Sequence, residues 1–444
     1  MSEKSSTPLP VVRTDQTTAG GYFVSNYPPF QFWLPEHVPD AVAVFNRPPP
    51  ADEPLGLYVH IPFCRKRCHF CYFKVYTDKN ADQIGRYVDA VLAEARCYAE
   101  QLFLSGRGLR FVYFGGGTPS YLSASQLTHL IGGLQDIFSW NRVEEVAFEC
   151  EPGTLRTKKL VTLHELGITR LSLGIENFND RILETNNRAH DSAAIDRAFS
   201  AARDVGFPQI NIDLIAGMVG ETDKNWRDCV DRTIKMEPDS ITIYQMEVPF
   251  NTTLFKQMQR GGQVEAPVAD WPTKRRWVSE AFSRLEEVGY TVASAYTAVR
   301  DPAHARFIYR DDLWRGADML GIGVSSFGHI GGVHYQNEKD FDPYIEQVES
   351  GEFPIHRALE IDSDQRLIRE LVLQFKIGHV DGAYFRAKFN VAIEQRFTDA
   401  LLSLQQAGHL CRHGDRWQLS REALLQVDDL LPAFFQPEHR AAIA

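Results

Sequence analysis

The chain has 444 residues, 44% hydrophobic and 24% charged, enough apolar material for one large core and a smaller second domain. No run approaches the roughly 20 apolar residues that span a bilayer, and the opening MSEKSSTPLPVV lacks the apolar stretch of a secretion signal, so a cytoplasmic protein with no membrane span is expected. A net charge of −11 argues against nonspecific nucleic-acid binding.

Residues 1–53 are rich in proline and aromatics (YFVSNYPPFQFW, NRPPPADEP), show little period, and read as an extended N-terminal arm. From Leu57, β-branched or aromatic runs alternate with segments of helical spacing: LYVHI, RFVYFGG, EVAFECEP, RLSLGI, QINIDLIAG and SITIYQMEV. That alternation predicts βα units on a parallel sheet. Placed in residues 54–300, the runs predict an α/β fold, an incomplete (βα)6 barrel, although a doubly wound sheet would give a similar string. YTVAS, from Tyr290, is a candidate further strand. Residues 301–362, with the Gly-rich LGIGVSSFGHIGG, read as a connecting segment on the substrate side. Residues 363–444 read as a small, mainly helical C-terminal domain in which HLCRHGDRWQLS suits a short hairpin.

Three of the seven cysteines crowd into HIPFCRKRCHFCYF. Cys64, Cys68 and Cys71 follow the first strand directly, which puts C-x3-C-x2-C on a loop at the strand's C-terminal edge, where (βα) barrels build active sites. An odd cysteine count with one tight cluster fits metal binding better than disulfides. Thiolates are soft ligands for zinc or an iron–sulfur cluster. Structural zinc wants four closed ligands, and His69, adjacent to Cys68, is poorly placed to be the fourth. Three cysteines on a four-iron cluster instead leave one iron free of protein ligands. Cys97, Cys150, Cys229 and Cys411 read as packed side chains.

Other strand ends carry groups suited to a polar ligand. Gly115, Gly116 and Gly117 in FGGGTPS leave room for one and offer backbone N–H groups, or simply make a tight turn. Glu149 and Glu151 follow the third strand, and Glu176 ends the fourth. Arg188, in NNRAH, is a candidate carboxylate clamp. Asp213 lies inside an apolar run, where an unpaired charge would be costly. Tyr58 faces either the core or the barrel mouth. Arg300, Arg306, Arg310 and Arg315 are either contacts for substrate carboxylates or a solvated loop face.

The cysteine spacing, with Phe70 before the last cysteine, resembles the signature of the radical S-adenosylmethionine (SAM) superfamily. The combination LYVHIPFC, FGGGTPSYL, LSLGIENFND, NIDLIAG and LGIGVSS resembles its oxygen-independent coproporphyrinogen III oxidase family, over about residues 55–432 and more loosely at YFVSNYPPF in the arm. The resemblance implies a radical SAM barrel, a 4Fe-4S cluster on Cys64, Cys68 and Cys71, cleavage of S-adenosyl-L-methionine to an adenosyl radical, and oxidative decarboxylation of porphyrinogen propionates in porphyrin and heme biosynthesis. It further implies two SAM molecules. The first would contact Tyr58, Phe70, Gly116, Glu149, Met246 and Phe327; the second would contact Gly117, Thr118, Glu176, Arg188 and Asp213.

This chain has Phe73 where the oxidases commonly have a further cysteine, Glu176 where they commonly have glutamine, and a shorter IYRDDLWRGADML segment. Two alternatives therefore stay open. One is methyl or methylene transfer from the second SAM to another substrate. The other is a heme chaperone with His329 and His334 as candidate ligands, against which the arm argues, because the chaperone branch typically starts close to the first strand. Electrons are expected from outside, and Arg65, Lys66, Arg67 and Lys74 would either steer an acidic flavodoxin or ferredoxin or balance an anionic cluster.

Overall fold

The computed structural model describes residues 15–18, 20, 23–263 and 265–440; the arm's first fourteen residues lie outside them. Six strands, β1 (Leu55–Ile61), β2 (Leu109–Gly116), β3 (Glu145–Cys150), β4 (Arg170–Glu176), β5 (Gln209–Ala216) and β6 (Ser240–Gln245), pair parallel in chain order. This is the α/β architecture that the alternation predicts. The sheet then grows at both ends. Antiparallel β7 (Thr291–Val292) and β8 (Thr297–Val299) extend it past β6. On the other side, β9 (Asp318–Ile322) lies parallel to β1, followed by antiparallel β10 (Phe327–Ile330), β11 (Val333–Asn337) and β12 (Ile355–Glu360), giving a sheet of twelve.

The crossovers are helical because their ends are capped by sequence. Asn80 with Gln83 and Ser123 with Gln126 form capping boxes for helices Ala81–Ala99 and Ala124–Ile137. Asp191 caps Ser192–Val205, which stops at Gly206 in the left-handed conformation.

Side-chain burial alternates along the parallel strands. Leu57, Val59, Phe114, Phe148, Leu173, Ile212 and Ile243 are sealed, whereas Tyr58, Tyr113, Glu149, Ser172, Glu176, Asp213 and Tyr244 keep accessible surface. Successive residues of a strand face opposite sides, so the sealed set belongs to the apolar core and the accessible, mostly polar set lines the barrel interior.

The C-terminal part begins with helix Ser363–Phe375 and adds a three-stranded sheet of β13 (His379–Asp381), β14 (Leu410–His413) and β15 (Arg416–Leu419). Gly414 and Asp415 make the turn between β14 and β15. Its apolar cluster, including Leu371, Phe385, Trp417 and Phe434, takes in Val24 and Tyr27 of the arm. The arm is less extended than its composition suggests. Leu34 and Ala358 exchange backbone hydrogen bonds at 2.9 and 3.1 Å, and helix Val38–Val44 buries Ala41 and Val44 in the main core. Among the described residues no helix is long and apolar enough to cross a membrane.

Candidate active site

β1 ends at Ile61 and delivers the cysteine loop to the C-terminal edge of the sheet. Backbone bonds clamp this loop on several sides. Cys64 N donates to Tyr76 O at 3.1 Å, His69 N to Asn186 O at 3.1 Å beyond β4, and Leu254 N to His69 O at 2.9 Å beyond β6. Cys64 Sγ lies 3.3 Å from Thr118 Oγ1, and Cys68 Sγ accepts from Arg188 Nη1 at 3.1 Å. Burial pushes the Cys64 thiol up to about 12 and Cys71 up to about 11. His69 Nδ1 meets Thr185 O at 3.1 Å instead of the thiols. Among the described residues no three His, Cys, Asp or Glu side chains are grouped to hold a single metal ion. Thiolates that bind separate irons of one cluster need not converge on a point.

The barrel interior next to the loop is acidic and aromatic. Tyr58 faces it, 3.1 Å from His60 Nδ1 and stacked on Tyr113 at 5.9 Å. Glu149 accepts from Tyr113 OH at 2.7 Å and from Gly116 N at 3.1 Å, and burial lifts its carboxyl to about 7. Glu176 sits at a register shift between β4 and β5 with φ +65°, a left-handed backbone uncommon for glutamate. Its carboxylate lies 3.4 Å from Arg188. Burial raises Glu176 to about 7 against the pull of Arg188. Asp213 accepts from Ser172 Oγ and Asn211 Nδ2, both at 2.8 Å, and burial raises it too. Glu151 instead turns to Arg65 (3.1 Å) and His190 (3.0 Å). Burial pushes Glu151 up, but the bond to His190 and the charges on His190 and Arg65 outweigh it and hold the carboxyl at about 2.

Two residues here escape sequence reasoning. Tyr72 and Tyr244 keep 51% and 43% of their surface accessible, yet desolvation, aided by nearby acids, raises both phenols. A side chain both accessible and desolvated lines a concavity. For Tyr244, period-two alternation on β6 from buried Ile243 was the available signal.

The remaining candidate residues lie in several environments. The three glycines pack closely against the protein's own chain: a Cβ on Gly115 would stand 2.8 Å from the Tyr113 ring, one on Gly116 would stand 2.6 Å from the His60 ring, and one on Gly117 would stand 2.9 Å from Phe63 O. Met246 is buried in an apolar cluster with Ile182, Ile215 and Met218, against which Phe70 packs. Phe327 faces the arm, its ring 4.7 Å from Phe30 and 5.7 Å from Trp33. Arg310 lies at the opposite end of the barrel, on a helix (Ile308–Leu313) whose first amides are tied to Glu145 at the start of β3, and it pairs with Asp311. His329 and His334 are sealed, 3.0 Å apart through their Nδ1 atoms, so neither is open to a heme. Of the basic patch, Arg65 pairs with Glu151, Lys74 with Asp340, and Arg67 bonds the carbonyls of Cys71 and Asn251.

The donor set fits an anionic, sulfur-rich group. Besides three soft thiols on one clamped loop, Arg67 Nε and Arg188 Nε are buried beside it without partners among the described residues, and unpaired buried donors are costly. Residues 58–233 match the Radical SAM superfamily, and residues 361–425 match the HemN C-terminal domain. These matches put the chain in the radical SAM superfamily, whose members use a 4Fe-4S cluster and SAM. With the HemN C-terminal domain match behind the barrel, the chain combines a radical SAM domain with a HemN C-terminal domain. The oxygen-independent coproporphyrinogen III oxidase of Salmonella typhimurium is 29% identical over 357 residues, 78% of this chain and 75% of that one. The heme chaperone HemW of Bacillus subtilis is 26% identical over 383 residues, 85% of this chain and 98% of that one. The solved coproporphyrinogen III oxidase of Escherichia coli shares the fold, with a TM-score of 0.79 and 24% identity over 93% of this chain and 96% of that one.

Proposed function

We propose that the chain is a radical SAM dehydrogenase of the coproporphyrinogen III oxidase type. A hydrogen atom leaves the β-carbon of a substrate propionate, carbon dioxide departs, one electron passes to an external one-electron acceptor, and a vinyl group remains. Cys64, Cys68 and Cys71 would hold the cluster, which together with SAM supplies the carbon-centred radical that takes the hydrogen. Arg188 offsets thiolate charge at Cys68 while holding Glu176. Glu149, Glu176 and Asp213 present carboxylates to the ammonium and hydroxyl groups of one or two SAM molecules. Tyr58, Phe70, Gly116, Met246 and Phe327 complete the first set, and Gly117 and Thr118 the second. Tyr72 and Tyr244 offer apolar walls to a flat substrate.

The observation that favours an oxidase over a heme chaperone is the arm. It is built into the body through Leu34, Trp33 and Tyr27, instead of starting at the first strand. The test is mass spectrometry of products after anaerobic incubation of reduced protein with SAM and coproporphyrinogen III. Loss of two carboxyl groups is expected. Methyl transfer from labelled SAM, or a heme absorbance band with no SAM cleavage, would each replace this reading with one of its rivals.

A further inference from the structure

Beside the cysteine loop, on its outer side, lies a groove of ≈ 350 Å³ between that loop, the turn at Pro152 and the start of helix Ser192–Val205. Its lining is strongly cationic. Lys66 comes from the loop, Arg156 from the residue before helix Thr157–Glu165, and Arg197 from helix Ser192–Val205; all three are exposed and form no ion pair among the described residues. Arg65 also lines it, its charge taken up by Glu151. The one acid in the lining, Asp191, is spent on the helix, its carboxylate accepting from Ala194 N at 2.7 Å. In a chain of net charge −11, such a surplus of positive charge is a local exception.

The groove is also one side chain from the cluster position. Arg188 lines it and donates to Cys68 Sγ at 3.1 Å. We propose that this groove is the docking surface for a small acidic one-electron carrier protein, which delivers electrons to the cluster past Arg188. This rests on the cluster reading of Cys64, Cys68 and Cys71. In the step, one electron leaves the reduced carrier and enters the cluster; the carrier is oxidised by one unit, the cluster is reduced by one, and no atom is transferred.

A small phosphate-bearing ligand fits the groove less well. The amides at the helix start that would receive it are occupied, Ser192 N by Asp180 (2.7 Å) and Ala194 N by Asp191. The free cations come from three separate segments, an arrangement that matches an acidic face better than a single anion.

The test uses the full chain with its cluster reconstituted, and the charge-reversed variant Lys66→Glu/Arg156→Glu/Arg197→Glu. Reduced flavodoxin and reduced ferredoxin are the probes, with dithionite as the reductant that needs no docking. Expected is a rate of cluster reduction by at least one carrier that falls with ionic strength and drops about 10- to 100-fold in the variant, with dithionite reduction unchanged. Binding of oxidised carrier, measured by calorimetry on chains without cluster, should weaken in parallel. The single change Arg197→Glu, on helix Ser192–Val205 and not on the cysteine loop, should show a partial effect and covers the case in which the triple variant loses its cluster. Carrier rates and affinities indifferent to both variants, or binding of inorganic pyrophosphate in place of either carrier, overturn the docking surface. Wild-type chain that takes up no iron and sulfide overturns the cluster reading first, and is recognised before any carrier is added.

Discussion

Arg188 holds three groups at once: Nη1 reaches Cys68 Sγ at 3.1 Å, Nη2 reaches Gly174 O at 2.5 Å, and the same guanidinium faces Glu176 at 3.4 Å. A planar fork serves all three; a lysine ammonium would not. Removing one partner of a buried ion pair strands the other, so Arg188→Ala should lower unfolding free energy by about 3 kcal/mol in urea titrations. Arg188→Ala with Glu176→Gln should recover part of that loss, because no carboxylate is left unpaired; a double variant as unstable as the sum of its parts would show that the pair is not coupled. The position of Glu176 was legible from its place at the end of a strand run. Its left-handed backbone was not, since glutamate carries none of the signal that glycine or asparagine gives for positive φ.

At the level of elements, the end of β2 and the start of the cysteine loop are fitted to each other. A Cβ on Gly117 would stand 2.9 Å from Phe63 O and Pro62 C, backbone atoms that cannot swing aside. Gly117→Ala should therefore cost about 1–3 kcal/mol and reduce iron uptake by displacing Cys64. Gly132, inside helix Ala124–Ile137 with nothing within 4 Å of its added Cβ, is the control: Gly132→Ala should be neutral or stabilise by up to about 1 kcal/mol. Equal effects of the two changes would remove the steric explanation.

Helix Ala81–Ala99 is tied to the far side of the sheet through Glu94, which accepts from Tyr344 OH (2.5 Å), Asn337 Nδ2 (2.6 Å) and Gly323 N (2.8 Å). Burial raises this carboxyl to about 7 from its ordinary 4.5. The folded state then holds a proton that the unfolded chain releases, so the stability from this group is complete below pH 4.5 and is lost as pH rises through 7. Glu94→Gln should flatten that decline by on the order of 2 kcal/mol between pH 5 and 7.5; parallel curves for variant and wild type would refute it. Caps and crossovers were readable because their signals are local. The parallel pairing of the five-residue β9 with β1 was not, because it joins Asp318–Ile322 to Leu55–Val59 across most of the chain.

Over the whole molecule, the arm is the piece that joins the rest. Asn26 bonds His334 of β11 (3.3 Å) and Arg369 of the C-terminal part (2.9 Å), while Tyr27 OH meets His439 Nδ1 at 2.7 Å. Trp33 lies flat on the His334 ring, centroids 4.9 Å apart and planes 3° apart, and edge-on to Phe327. The aromatic richness of YFVSNYPPFQFW was visible in the sequence, but where those rings land was not, since the contacts span some 300 residues and leave no period to read. Trp33→Ala removes a fully buried indole and should cost about 3–5 kcal/mol. Because the three cysteines and Arg188 do not touch Trp33, the reconstituted variant should keep its cluster, read as iron and sulfide bound per chain, while conversion of the porphyrinogen falls sharply. Limited proteolysis should then cut the variant within the arm at protease levels that leave the wild type whole. An arm that stays protected alongside full substrate conversion would mean that it closes nothing, and the preference for an oxidase over a heme chaperone would lose its support.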